Sequence, residues 1–441
     1  MTRTADPDLS HIPGPRGLPL LGHSLQFFRD SYGLQRRCIA EMGEVYSVSA
    51  FGHRRVILQG ADALELVLGD REGLFSSTEG WDVLTRLFSG GLMLRDFEDH
   101  RRHRRVMQSA FKAPAMRAYL ARMEAEVAAA LAGWPTGRRL LFASAAKDLT
   151  LRMGGAVFMG LPSDDPEAER TNRAFSEEIA AAMGVVRLPL PFTKMRRGVR
   201  ARRTLARRFH GLIAARRAGG GSDFFSELCR ATDEEGRAWT DEEIVDHFNF
   251  LIFAAHDTTA TTLTAMAWAL GAHPEWQERV RAEVRGLDGP LDMGALDAMP
   301  LMDRVMREAL RLVPPVPVIP RRATRDFEWR GVRIPAGARV SVSPGLVLLS
   351  ERHWTDPDAF DPDRFSPNRA EDRGHRYAWA PFGGGAHKCI GMHFAIMQIK
   401  VFYAHLLRRH RIELVGERPV RWQRMPIPHP KDGLPVRLSA G

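Results

Sequence analysis

Cysteine is scarce in this chain. Its 441 residues include 3, Cys38, Cys229 and Cys389, an odd number without framework spacing, which excludes a disulfide-stapled scaffold and points to a reducing compartment. Long apolar runs are missing as well: no stretch reaches the roughly eighteen residues of a membrane-spanning helix, and Met1 to Ser10 is too polar for a signal peptide. No Pro/Ser/Gly-rich linker divides the chain, and its most flexible-looking stretch, Ala218 to Ser222, is short enough to be a loop. Residues 1–441 therefore read as one domain, with 1–12 a flexible N-terminus. Acid is in shorter supply than base, 53 Asp and Glu against 63 Lys and Arg, for a formal charge of +10. The arginines are spread over many segments and no nucleic-acid motif accompanies them, which argues against a nucleic-acid partner and leaves solvated helix faces or a docking patch for an acidic partner.

What is present centres on Phe382-Gly383-Gly384-Gly385-Ala386-His387-Lys388-Cys389-Ile390-Gly391, followed by a helix-like run from Met392 to Leu407. The consecutive glycines permit backbone angles closed to other residues and let the main chain lie against a bulky partner. Cys389 stands where the helix begins, so free backbone N–H groups and the positive end of the helix dipole favour its thiolate, a nucleophile or a metal ligand. A phosphate-cradling loop fails here, because His387 precedes Lys388 and Cys389 follows it. Zinc could use Cys389 and His393, yet no paired Cys or His spacing supplies the remaining ligands. A catalytic cysteine and haem ligation by a thiolate both stay open on these residues alone.

The decapeptide resembles the haem-binding loop of the cytochromes P450. The resemblance implies that Cys389 is the axial ligand of haem b iron, that Phe382 packs near its sulfur with Gly383 and Gly391 alongside, and that His387 stands where an arginine usually binds a haem propionate. It extends from about Pro13 to the C-terminus through further motifs in the family's order. On a very basic stretch, His100 to Phe111, His100 and Arg104 match a propionate-binding pair one helical turn apart. Pro13-Gly14-Pro15 resembles the hinge that follows a membrane anchor in microsomal relatives, without the anchor.

Thr240-Asp241-Glu242-Glu243 forms a capping box that opens a helix to about Ala272, apolar on nearly every side from Phe248 to Leu270. In its middle, Ala254-Ala255-His256-Asp257-Thr258 sets a carboxylate and hydroxyls where they are expensive unless paired or at work. Read locally, Thr258 bonds back to the Ala254 carbonyl and Asp257 is capped by an arginine. The block also resembles the family's oxygen-activation motif, which implies that Thr258 lies at a helix distortion and that Asp257 relays protons. His256 reads as core or pocket lining, and Cys38 and Cys229 have no assigned role. Glu308 and Arg311, with Arg364 of Asp361-Pro362-Asp363-Arg364-Phe365, resemble the family's buried structural network. Arg321, in preference to Arg322, matches a further propionate-binding position.

These motifs imply a mainly α fold with small β-sheets, haem lying between a long central helix and the Cys-loop helix. The implied activity is a cytoplasmic haem-thiolate monooxygenase that oxidises a small lipophilic substrate, terpenoid, steroid or fatty-acyl. Electrons would come from a separate ferredoxin- or flavodoxin-like donor and reductase, docking near the Arg101 helix and Lys388. A haem-thiolate isomerase or peroxygenase, or a non-catalytic haem sensor, is the alternative; peroxide-using relatives typically lack the acid–alcohol pair. Sterol demethylases usually carry His where this chain has Asp257. Two stretches are expected around the substrate: the scattered apolar residues of Leu74 to Asp99, and a lid loop at Leu188 to Phe192.

Overall fold

The computed structural model describes residues 6–161, 165–184, 186–219, 221–416 and 419–441, and it is 55% helical with small sheets. The chain divides into two compact units.

The first unit, 1–82 with 307–389 and 421–430, is built on a five-stranded sheet. Alternating apolar residues make a hairpin of Val45–Ala50 and His53–Leu58, turned at Phe51 and Gly52, both at positive φ. Arg339–Val342 pairs parallel to the second of these strands, and Ile319–Ala323 then Phe75–Ser76 complete the order. Val56, Leu58, Val340 and Val342 bury one face together with helix Ala61–Gly69. Residues 6–12, expected to be flexible, are packed: Leu9 and Ile12 are buried in that core and the Asp6 carboxylate meets His53 Nδ1 at 2.8 Å. Residues 1–5 lie outside the described residues.

The second unit, 83–306 with 390–420 and 431–441, is mostly helical. Its axis is the helix Asp241–Ala272, about 48 Å long at 1.5 Å per residue. Both halves of the capping box form: Thr240 Oγ1 accepts from Glu243 N at 3.2 Å, and Glu243 Oε2 accepts from Thr240 N at 2.9 Å. Around it pack Phe142–Met153, Pro166–Ala182, Lys194–Arg217 and the Cys-loop helix Met392–Arg409. Arg139–Leu141 is a strand, captured in a three-stranded sheet by Pro435–Ala440. Among the described residues one stretch, Gly385–Arg409, is apolar and long enough to cross a bilayer, and 61% of its apolar window is buried inside the protein.

Candidate functional site

In the first unit the cysteine loop is held by its own backbone. Cys389 N donates to the Phe382 carbonyl at 2.9 Å and Lys388 N to the Gly385 carbonyl at 3.2 Å, closing the loop two residues before Gly391 caps the helix Met392–Arg409. Gly383 and Gly385 sit at φ +70° and +60°, a region costly for other residues. A side chain at Gly385 would strike the Leu68 carbonyl, and one at Gly384 the Tyr377 ring. Facing away from these neighbours the loop is open: a Cβ at Gly391 would meet nothing within 4 Å, and at Gly383 only the His387 carbonyl at 3.9 Å. Cys389 is exposed and His387 half-buried. A thiol beside an open main-chain face, with the exposed Lys388 next to it in the chain, fits an anionic porphyrin bound through iron. It does not fit zinc, since no cluster of three or more His, Cys, Asp or Glu able to hold a metal occurs among the described residues. Arg321 and Arg322 divide their work as expected for neighbours on a strand: Arg322 is committed to Glu79 at 3.2 Å and the Gly337 carbonyl at 2.9 Å, while Arg321, 5% exposed, keeps to the other side of the strand.

Behind this loop lies the network expected of Glu308, Arg311 and Arg364. Glu308 accepts from Arg311 Nε at 2.7 Å and Nη2 at 2.9 Å, from Arg364 Nε at 3.0 Å and from Asp361 N at 2.9 Å. Arg311 also donates to the carbonyls of Leu348, Pro357 and Ala359, and Arg364 to the carbonyl of Thr355 and to Glu371. All three side chains are fully buried, so the charges survive only through these partners.

In the second unit the oxygen motif sits midway along the central helix. Thr258 Oγ1 donates to the Ala254 carbonyl at 2.7 Å, as the local reading expects, and the helix runs on unbroken, without the distortion that the resemblance implies. Asp257 is 4% exposed, and its partner is a lysine rather than an arginine. Lys147 Nζ, on Phe142–Met153, lies 2.9 Å from Asp257 Oδ1 but off the line of a hydrogen bond, so the contact is chiefly ionic. The Lys147 side chain is 49% exposed, so the ionic partner of this buried carboxylate itself reaches bulk water. His256 is buried, its Nδ1 2.9 Å from Thr150 Oγ1 and its Nε2 3.8 Å from Asp257, and burial lowers its pKa. One turn towards the N-terminus, Phe253 stacks on Phe88 at 4.2 Å with Phe250 edge-on, giving an apolar wall. Leu84, Leu87, Phe88, Leu92 and Leu94 are all buried, so this expected substrate segment also serves as core.

His100 and Arg104 share the helix Phe97–Gln108, His100 buried and Arg104 half-buried. The arginines around them are less free than their number implies. Arg101 bonds Glu98 at 2.7 Å, Arg105 lies 3.5 Å from Glu98 and 3.6 Å from Glu234, and Arg102 lies 3.8 Å from Asp233 and 3.7 Å from Glu243. Sequence reading missed His103, whose Nδ1 meets His247 Nε2 at 2.7 Å under Trp239. Burial lowers the His103 pKa to about 4 and that of His247 well below the usual value, so the pair is neutral at pH 7. Only the placement of His247 on an apolar helix could have signalled it.

The family model for cytochrome P450 matches residues 12–426. The chain is 40% identical over 439 residues to cytochrome P450 136 of Mycobacterium tuberculosis, covering 98% of this chain and 89% of that protein. It is 30% identical to a sterol 14alpha-demethylase of Mycolicibacterium vanbaalenii, covering 89% of each. The structure of a cyanobacterial P450, CYP120A1, solved with retinoic acid bound, superposes with a TM-score of 0.88 at 28% identity, over 98% of this chain and 99% of that one.

Proposed function

The chain belongs to the cytochrome P450 family, and we propose that within it this protein oxidises a small lipophilic substrate, terpenoid, steroid or fatty-acyl, with electrons from a separate ferredoxin- or flavodoxin-like donor and reductase. Its class is haem-thiolate monooxygenase, using haem b. Bound haem supplies O2 activation, its iron made electron-rich by the cysteine thiolate. Cys389 is the proposed iron ligand, with Phe382, Gly383 and Gly391 against the ring and His387, Arg321, His100 and Arg104 on the propionates. The two units are proposed to work as one cytoplasmic P450 domain.

The observation that carries the reading is the buried Asp257 beside Thr258, reached from solvent by Lys147. O2 chemistry in a dry site needs protons delivered one at a time. Lys147 pairs with the Asp257 carboxylate and connects it to water, so a proton can be passed from the solvent side to the interior along this pair. The Thr258 hydroxyl, donating to Ala254, offers its oxygen as acceptor to an incoming donor and so orients the delivery. A sensor or isomerase has no use for such a path. The retinoic-acid-bound neighbour and the sterol demethylase support a lipophilic substrate, and the wall of Phe88, Phe250 and Phe253 suits one. Asp257, where demethylases usually carry His, argues against sterol demethylation itself. For electron-donor docking we favour the surface around the exposed Lys388, since Arg101, Arg102 and Arg105 are already offset by acids.

The test is reconstitution with a reductase and ferredoxin pair and a spectral binding screen of lipophilic compounds. Substrate-dependent NAD(P)H use with hydroxylated product is expected. Product formed from peroxide alone, with no reductase-driven turnover for any spectrally bound compound, would sink the proposal.

A further inference from the structure

His256 reads from the sequence as core or pocket lining, yet its ring is held in one orientation beside the acid of the central helix. Lys147 and Thr150 stand three apart on one face of the helix Phe142–Met153, which packs along Asp241–Ala272. The Thr150 hydroxyl donates its single hydrogen to the Lys147 carbonyl at 3.0 Å, so towards His256 Nδ1, at 2.9 Å, it is an acceptor. His256 is therefore the Nδ1–H tautomer, and its Nε2 carries a bare lone pair. That lone pair faces Asp257 Oδ1 at 3.8 Å. Side chains adjacent on a helix diverge by about 100°. The neighbouring helix brings these two together, holding the ring through Thr150 and the carboxylate through Lys147.

The gap of 3.8 Å has a chemical reason. While Asp257 is ionised, Oδ1 and Nε2 are both acceptors and stand off, and Oδ1 keeps to Lys147 Nζ at 2.9 Å. A proton placed on Oδ1 reverses this: the ion pair with Lys147 is lost, and the new O–H finds Nε2 as its acceptor. Closing the gap to a hydrogen bond of about 2.8 Å takes a shift of about 1 Å. A cavity of about 10 Å³ lined by His256, Thr150, Phe394 and Gln398 leaves the ring room to make it. Among the described residues, the other charge near the ring is Asp148 on the helix of Lys147, and Phe158, Phe394 and Gln398 from the remaining elements do not titrate. Burial lowers the His256 pKa, so at pH 7 the ring is neutral and Nε2 stays bare.

We propose that His256 is a positioning residue for the Asp257 proton step, its Nε2 receiving the hydrogen bond of the protonated carboxyl while Lys147 answers the ionised one. Oδ1 thus changes partner with its own protonation state, and the loaded acid is held in place until it delivers. The proton comes from solvent, joins Oδ1 and leaves from it; His256 gains and loses none. An imidazolium at 256 would donate to Oδ1 and, with Lys147, hold Asp257 ionised, so the neutral ring is the working form. The inference rests on the reading that Asp257 carries protons.

The test follows product formed per NAD(P)H in the reconstituted, haem-loaded enzyme from about pH 5.5 to about pH 8.5. The parent should lose coupling as pH falls below about 6.5, where His256 takes up its proton. H256L should make about tenfold less product at neutral pH, with peroxide rising, and should lack that acid limb. H256Q, whose amide oxygen can take the place of Nε2 but does not titrate, should restore product to within about threefold and also lack the limb. If D257N uncouples while H256L keeps the parent's coupling and acid limb, this proposal alone is overturned; a fully coupled D257N overturns the Asp257 reading and this one with it. An H256Q as poor as H256L overturns it as well, because packing and not an acceptor would then be what matters. Nitrogen NMR of the histidine-labelled, reduced, carbon monoxide-treated protein gives a readout apart from turnover, with His256 assigned by its loss in H256Q. The parent should carry its hydrogen on Nδ1, and T150V should move it towards Nε2. A parent ring with the hydrogen on Nε2 overturns the proposal.

Discussion

Replacing Glu308 by Ala removes one carboxylate that answers two guanidinium groups and a backbone amide, all in the protein interior. Arg311 would keep the carbonyls of Leu348, Pro357 and Ala359, and Arg364 would keep Thr355 and Glu371, so neither loses every partner. The net cost is the loss of the only acid facing Arg311 among the described residues, and breaking a buried pair of this kind costs about 3–5 kcal/mol. At about 1.4 kcal/mol per tenfold, the folding equilibrium falls by two to three and a half decades. With an m-value of about 2–3 kcal/mol/M, the urea midpoint drops by about 1–2.5 M. Because the network ties Pro357–Arg364 to the helix carrying Glu308, the loss should reach the cysteine loop through its support and lower haem retention on gel filtration. E308Q keeps the shape and one acceptor oxygen but sets an amide against guanidinium hydrogens, so it should fall between E308A and the parent. An E308A protein with an unchanged midpoint and full haem content would refute the assignment of this network as the structural lock.

Alanine at Thr258 removes the hydroxyl while leaving the helix whole, so oxygen and NAD(P)H should still be consumed while product falls and peroxide rises; unchanged coupling would count against its role. C389S should fold yet lose the strongly red-shifted absorption of the reduced, carbon monoxide-treated protein, and retention of that band would end the haem-thiolate account. Glu178 is fully buried, and desolvation pushes its pKa to about 8 although Asn249 donates to it at 2.8 Å. Since the folded state binds this proton more tightly than the unfolded chain, Glu178 takes stability away as pH rises from about 4.5 to about 8. E178Q should therefore gain on the parent in denaturant midpoint over that window, and a pH-independent difference would refute the shift. His103 works in the opposite direction: its pKa is lowered to about 4, so the stability it contributes is present above about 6.5 and lost as pH falls through 4, and H103Q should flatten that acid limb.

Much of this molecule was legible because local chemistry and tertiary need coincide. The capping box at Thr240 opens the helix at Asp241, and Gly52 turns the hairpin, because each requirement is met within a few residues. The Glu308 network was legible for another reason: buried charge at fixed spacing has few uses. Partners brought from distant segments were not. Asp257 draws Lys147 across 110 positions, and nothing in the run around Lys147 marks it as different from any solvated helix face. His103 pairs with His247 in the same way. The basic helix at Arg101 was over-read, since its density of arginines is visible in one dimension while Glu98, Glu234 and Glu243, which offset it, converge only in three. The short strand Arg139–Leu141 was not legible either, because nothing within it points to the strand from Pro435 that pairs with it.

The walls pressed against Gly384 and Gly385 have a practical reading for anyone wishing to evolve this protein. The Tyr377 ring and the Leu68 carbonyl occupy the space any larger residue would need, so randomised codons there yield mostly dead clones whatever compound is screened. Diversity is better spent at Phe88, Phe250 and Phe253, where a side chain rather than the loop's main chain bears the change.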